Sequence, residues 1–196
     1  MINQEHLRSP ITTRKKVLIT IGVTFFILSM LLLDHFHGGV PSHHILQSEN
    51  YPAISNWWSG LSLPILTWFL LTRVKRRVDR QQVQQLNNSI KGAIQLFITG
   101  LVLGILIAIS FEYGYSPFLD NVLYIILLLS LFIPIYYAEF ILGFVIGMTY
   151  TFGAILPTAF ILVVAIIGMT LYRFIRPLLL KLVKMMTNKL YKRPSN

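Results

Sequence analysis

Apolar positions in this chain fall into long blocks rather than at the spacing of a soluble core. Four stretches lack Lys and Arg and are mostly apolar: Val17–Leu33 (17 residues), Trp57–Thr72 (16), Gly92–Phe111 (20) and Asn121–Tyr172 (52). A helix rises about 1.5 Å per residue, so roughly 20 residues cross the hydrocarbon of a bilayer and about 17 is the minimum. Each of the first three blocks predicts one crossing. The fourth is too long for one, and its single charged residue is Glu139. Aromatics, glycines and Pro157 interrupt it, which predicts turns near Tyr137–Glu139 and near Tyr150–Pro157. The piece between them, Phe140–Phe152, is then only about half a bilayer deep.

Charge decides the sidedness. All 17 basic residues lie in three segments. These hold Arg8, Arg14, Lys15 and Lys16; Arg73, Lys75, Arg76, Arg77, Arg80 and Lys91; and Arg173, Arg176, Lys181, Lys184, Lys189, Lys192 and Arg193. Segments 34–56 and 112–120 have none and carry Asp34, Glu49, Glu112 and Asp120. Cations in short flanking loops mark the cytoplasmic side, so both termini and the 73–91 loop are read as cytoplasmic. The net charge of +10 is then a polarised arrangement and not a nucleic-acid surface. A chain with both ends inside crosses an even number of times, and ending the fourth block outside would strand the cationic tail there.

The expected fold is therefore an all-α polytopic membrane protein with N-in, C-in topology. It is a bundle of about six transmembrane segments, or four plus a broken re-entrant hairpin. Residues 1–16 form a basic cytoplasmic N-terminus and 17–172 the transmembrane domain, with an outer His-rich loop at 34–56 and a cytoplasmic basic loop at 73–91. Residues 173–196 form a basic tail. There Leu179, Leu182, Val183, Met186 and Leu190 recur at helical spacing, with Lys181, Lys184, Asn188 and Lys192 on another side. That pattern predicts an amphipathic helix on the anionic cytoplasmic leaflet. The cationic start of the first run resembles a signal peptide, but no small-residue cleavage site follows, so it reads as a retained anchor. The brevity of the loops points to a bacterial cytoplasmic membrane.

Composition agrees. Charged residues make up 12% of the chain, against roughly 25% in a soluble domain. With no cysteine, disulfide scaffolds, thiol nucleophiles, iron–sulfur clusters and Cys-ligated zinc are excluded. Walker, Gly-x-Gly-x-x-Gly, Gly-x-Ser-x-Gly and His-Glu-x-x-His motifs are absent.

The candidate chemistry begins in the outer loop. His35, His37, His43 and His44 lie within ten positions, beside Asp34 and around Gly38, Gly39 and Pro41. Imidazole is the commonest transition-metal ligand and pairs with carboxylates, so a divalent transition metal is the cofactor this set would take. Glu49, Glu112 and Asp120 are on the same side and would complete a shell. The opposing expectation is a polar loop, with Ser42 capping a short helix that starts at His43. Trp57 and Trp58 read as an interfacial aromatic belt capped by Ser55 or Asn56.

Two helical faces repeat small residues every four positions: Gly100, Gly104 and Ala108 before Glu112, and Gly143, Gly147 and Thr151 after Glu139. Such faces let helix backbones approach closely. A charged Glu139 at the bilayer centre would cost at least ~2.5 kcal/mol, so it is expected to be near an interface, paired or protonated. The leading expectation is a small carrier, permease or solute- and ion-binding subunit with an outward-facing His/carboxylate site. Glu112, Asp120, Glu139, Gly143 and Gly147 would then line the solute or proton path. One alternative is a membrane-embedded metal-dependent hydrolase or hydroxylase using the same histidines. The other is a structural or regulatory subunit that binds a second copy or another membrane chain. The expected partners are the bilayer, anionic lipids at the tail and a further membrane subunit, with no nucleic acid.

Overall fold

Thr12 starts the first helix, its hydroxyl accepting from the Lys15 N–H at 3.3 Å. The computed structural model describes residues 11–44, 50, 52–80 and 86–191. Helix α1 spans Thr13–Phe36 and α2 spans Ser59–Asp79. Between them lie two short antiparallel strands, β1 (Ser42–His44) and β2 (Ala53–Ser55), with His43 opposite Ile54. A single turn of 3-10 helix, Asn56–Trp58, leads into α2. Then follow α3 (Leu86–Glu112), α4 (Ser116–Leu119), α5 (Val122–Phe132), α6 (Ala138–Phe152) and α7 (Ile155–Thr170). A π turn over Leu171–Ile175 joins α7 to α8 (Arg176–Tyr191).

Among the described residues three helices are long and apolar enough to cross a membrane: Thr13–Phe36, Asn88–Glu112 and Ile155–Asn188. The all-α membrane class is thereby shown. Helices α5 and α6 are apolar but have only 11 and 15 residues. The expected turns hold, one between α5 and α6 and one at Gly153–Ala154. Two expectations are corrected. Ser42 does not cap a helix at His43, because Ser42–His44 pairs with β2 as a strand. Helix α2 does not stop near Thr72 with the end of its apolar run. No glycine or proline interrupts Arg73–Asp79, so the helix continues with Val74 and Val78 still buried.

Helix α6 is the centre of the packing. Eleven of its residues are buried, from Glu139 to Thr151, as expected of a helix that is apolar on all sides. Its main partner is α3. The Phe97 carbonyl faces Gly143 and the Leu101 carbonyl faces Gly147, so the two helices run parallel. A Cβ added at Gly104 would stand 2.5 Å from the Phe144 oxygen, and one at Gly147 would stand 2.5 Å from the Leu101 oxygen. Both distances are closer than any real side chain sits. The two small-residue faces read from the sequence therefore pack against each other, backbone to backbone.

Helix α2 runs antiparallel to α1, with Lys16 beside Thr72 at one end and Gly60 beside Leu31 at the other. It is also antiparallel to α6, and polar contacts join both ends. At one, Arg77 meets Glu139. At the other, the Ala154 N–H donates to the buried Ser59 hydroxyl at 2.8 Å. Gly153 makes that turn at φ +68, a conformation glycine adopts without steric cost. From Glu139 to Gly153 α6 rises about 21 Å, which sets the two candidate sites at opposite ends of the bundle.

Candidate functional site

At the first end, the histidines do not converge. The His35 ring packs edge-on against Phe36 and Trp57. His37 Nδ1 lies 2.8 Å from the Leu33 carbonyl and closes the last turn of α1. His43 instead turns toward the bundle, its ring 6.1 Å from that of Phe152. The His44 side chain and Glu49 lie outside the described residues. Among the described residues no three His, Asp or Glu side chains stand close enough to hold a metal. Asp34, His35, His37 and His43 are thus dispersed rather than gathered around a turn, because Gly38 and Gly39 (φ +125 and +103) lead the chain away into a strand.

His43 does gain a polar setting. Burial lowers its pKa below the ordinary imidazole value, opposed by the negative charge of Glu112 and a hydrogen bond to the Thr151 backbone. Its Nε2, the Thr151 hydroxyl and the Asn56 amide nitrogen are buried without partners. Beside it, a cavity of about 590 Å³ is lined by Phe111, Asp120, Met148, Phe152 and Phe160 among others. Phe152, which also contacts Phe111 at 4.6 Å between ring centroids, lines this cavity and packs against the His43 ring.

The other end is more tightly built. Arg77 projects from α2, and its Nη2 donates to Glu139 Oε1 in the first turn of α6. Glu139 is 4% exposed and Arg77 28%. The carboxylate sits where the helix dipole is positive and favours an anion. The guanidinium also lies over the Tyr137 ring, 4.3 Å from its centroid. Two buried atoms are left over, Arg77 Nε and Glu139 Oε2. Neither is a group that a protein normally buries without a partner.

No protein-family model, curated protein or solved structure matches this chain.

Three cavities meet at Arg77. One of about 410 Å³ is lined by Arg73, Arg76, Arg77 and Arg80. A second, about 290 Å³, adds Tyr136, Tyr137 and Glu139 over an apolar floor that includes Phe69, Ile141 and Leu162. The third, about 790 Å³, holds Asn88, Ser89, Gln95 and Thr99. Four guanidiniums and one carboxylate leave the cluster strongly positive. Planar donor forks of this kind match phosphate and carboxylate oxygens.

The candidate path residues divide between the ends. Asp120 lines the first cavity and Glu112 acts on His43, whereas Glu139 belongs to the second end. Gly143 and Gly147 are filled by the α3 backbone. The arginine cluster is not among the sequence expectations, which take the 73–91 cations as marks of orientation alone. Its signal was present: Arg73, Arg77 and Arg80 recur at i, i+4 and i+7, which places them on one side of a continued helix.

Proposed function

We propose that this chain is a six-segment membrane protein with both ends on its cation-rich, cytoplasmic side. Its binding centre would be the arginine cluster at the inner ends of α2 and α6, taking an anionic ligand of the phosphate class. The observation that carries the reading is the buried Arg77–Glu139 pair. It has a spare donor and a spare acceptor, and it opens onto a cavity walled by four arginines. An ion pair needed only for packing would have no reason to carry both. The crossing number is supported by direction: α3 and α6 are parallel, so α5 must return between them, and α7 follows antiparallel to α6 through a tight turn.

The reading is tested on the purified protein by thermal unfolding in phosphate against chloride at fixed ionic strength. Phosphate should raise the midpoint of the wild type and leave Arg73→Gln/Arg76→Gln/Arg80→Gln unmoved, with Arg77 kept so that Glu139 remains paired. An equal response from both proteins would overturn it. Because the chain has no cysteine, a single Pro134→Cys substitution reports topology. Six crossings make it reactive from the side of the termini, whereas a re-entrant hairpin shields it from both.

The outward-facing site is the second reading. It is favoured by the unpartnered His43 Nε2 and Thr151 hydroxyl beside Glu112, and with the inner site it would make the protein a carrier with two mouths.

A further inference from the structure

The apolar floor of the inner cavity does not end there. Phe69 and Leu162, which line it, also line a cavity of about 600 Å³ that runs between α2 and α7. This groove is walled by Leu61, Ile65 and Ala159 among others, and only Ser62, Thr158 and the Trp58 indole bring polar atoms to it. Leu61, Ile65 and Phe69 are half or more exposed on its rim, as expected of a surface bathed in acyl chains. Arg73 joins the two spaces, its guanidinium 5.0 Å from the centroid of the Phe69 ring. Along α2, Leu61 to Arg73 rises about 18 Å, close to one leaflet of a hydrocarbon core about 30 Å thick.

We infer that the α2–α7 groove and the arginine cavity together bind one anionic glycerophospholipid of the phosphatidylglycerol type, with an acyl chain in the groove and the phosphate on Arg73 and Arg77. The inference rests on the phosphate-class reading above and names its source as a lipid rather than a soluble anion. Charge complementarity selects the headgroup. Arg73, Arg76, Arg77 and Arg80 against Glu139 leave a surplus of positive charge, which a net-negative headgroup offsets and the ammonium of ethanolamine does not. Glu139 Oε2, unpartnered and 96% removed from solvent by its 4% exposure, lines this same cavity and calls for a donor. A glycerol hydroxyl next to the phosphate supplies one. Basic pockets between helices at the cytoplasmic boundary bind lipid headgroups by the same electrostatics.

The test is native mass spectrometry of the full-length, delipidated protein, titrated with phosphatidylglycerol, phosphatidylethanolamine and diacylglycerol of equal chain length, and with glycerol 3-phosphate. Phosphatidylglycerol should bind at least about tenfold more tightly than either other lipid, a difference of about 1.4 kcal/mol. Shortening its chains to six carbons should remove most of that affinity. Ala159→Trp, which fills the groove, should weaken long-chain phosphatidylglycerol about tenfold and leave glycerol 3-phosphate unaffected. If glycerol 3-phosphate binds as tightly as the long-chain lipid, the lipid assignment is overturned and the anion reading stands. If the three lipids bind alike, headgroup selection is absent and the lipid assignment is overturned. If Arg73→Gln/Arg76→Gln/Arg80→Gln binds phosphatidylglycerol and glycerol 3-phosphate as well as the wild type, the anion reading itself is overturned. The chain-length series uses the unaltered protein, so it decides the question even where Ala159→Trp does not fold.

Discussion

Removing the Arg77 guanidinium should destabilise the fold more than removing the carboxylate it donates to. The asymmetry follows from burial. Glu139 is 4% exposed and Arg77 28%, so Arg77→Ala leaves a carboxylate with almost no access to water, whereas Glu139→Ala leaves a cation that can hydrate in the arginine cavity. Truncating one member of a fully buried pair costs about 3–5 kcal/mol; this pair is buried on the Glu139 side only, so Arg77→Ala should fall at or just below the lower end of that range. The loss is partly offset by the dipole of α6, worth about 0.3–1 kcal/mol to a carboxylate in its first turn. Glu139→Ala should cost less, about 1–3 kcal/mol, because a partly hydrated ion keeps much of its solvation. The double variant should cost less than the sum of the two by about 1 kcal/mol or more, since residues in one ion pair are not independent. Equilibrium unfolding of the four proteins in mixed micelles, titrated with denaturing detergent, measures the cycle. Equal single costs, or a double cost equal to their sum, would refute the argument that Arg77 and Glu139 form one buried electrostatic unit.

Three further outcomes follow from the same packing. Gly147→Ala should destabilise by about 1–3 kcal/mol through overpacking, because its Cβ would press on the Leu101 carbonyl. Gly22→Ala on the open face of α1, with nothing within 4 Å, should be neutral or stabilising, and the same unfolding assay compares them. Ser59→Ala should cost about 1–3 kcal/mol by leaving the buried Ala154 N–H without an acceptor. For His43 the sign is set by its lowered pKa. The neutral ring is favoured in the fold, so its stability contribution is complete above the ordinary imidazole value of 6.5 and declines as pH falls through it toward the folded value. Melting temperatures across that interval should fall in the wild type and fall less in His43→Gln.

What the sequence discloses is mostly what lies within one helix turn or one loop. Blocks of apolar residues identify the membrane class, small residues four apart identify two close-packing faces, and the Gly153–Ala154 break is visible beside Pro157. That the two glycine faces meet each other is not visible, because residues 97–104 and 140–147 become neighbours only once α5 has turned the chain back. The Arg77–Glu139 pair spans 62 positions and is hidden for the same reason. The histidines mislead in the opposite way. Their closeness along the chain suggests a common site, but α1 runs on to Phe36 and β1 then carries His43 off in another direction. Adjacency in sequence is weak evidence for convergence where glycines at positive φ redirect the backbone between the residues concerned. Helix α2 shows a third limit: its apolar run ends near Thr72, but the helix itself continues to Asp79.

The packing also bears on how a ligand could move. A carrier needs a polar route between the two ends, and α6 is the helix that joins them. Between Glu139 and Thr149 its residues are Phe140, Ile141, Leu142, Gly143, Phe144, Val145, Ile146, Gly147 and Met148, a span of about 15 Å without one polar side chain. Along the α3 seam the backbones are already in contact, so no ligand passes there without separating the helices. On the α7 side Ile161 and Val164 are buried. A charged ligand moving along α6 would therefore lose its solvation with only isolated hydroxyls such as that of the buried Thr67 to replace it, at a cost of several kcal/mol. An amphiphile does not face that barrier, because its apolar part can stay in the α2–α7 groove while its charged part stays at the arginines. The same rigidity that closes the interior thus favours a ligand that enters sideways from the bilayer.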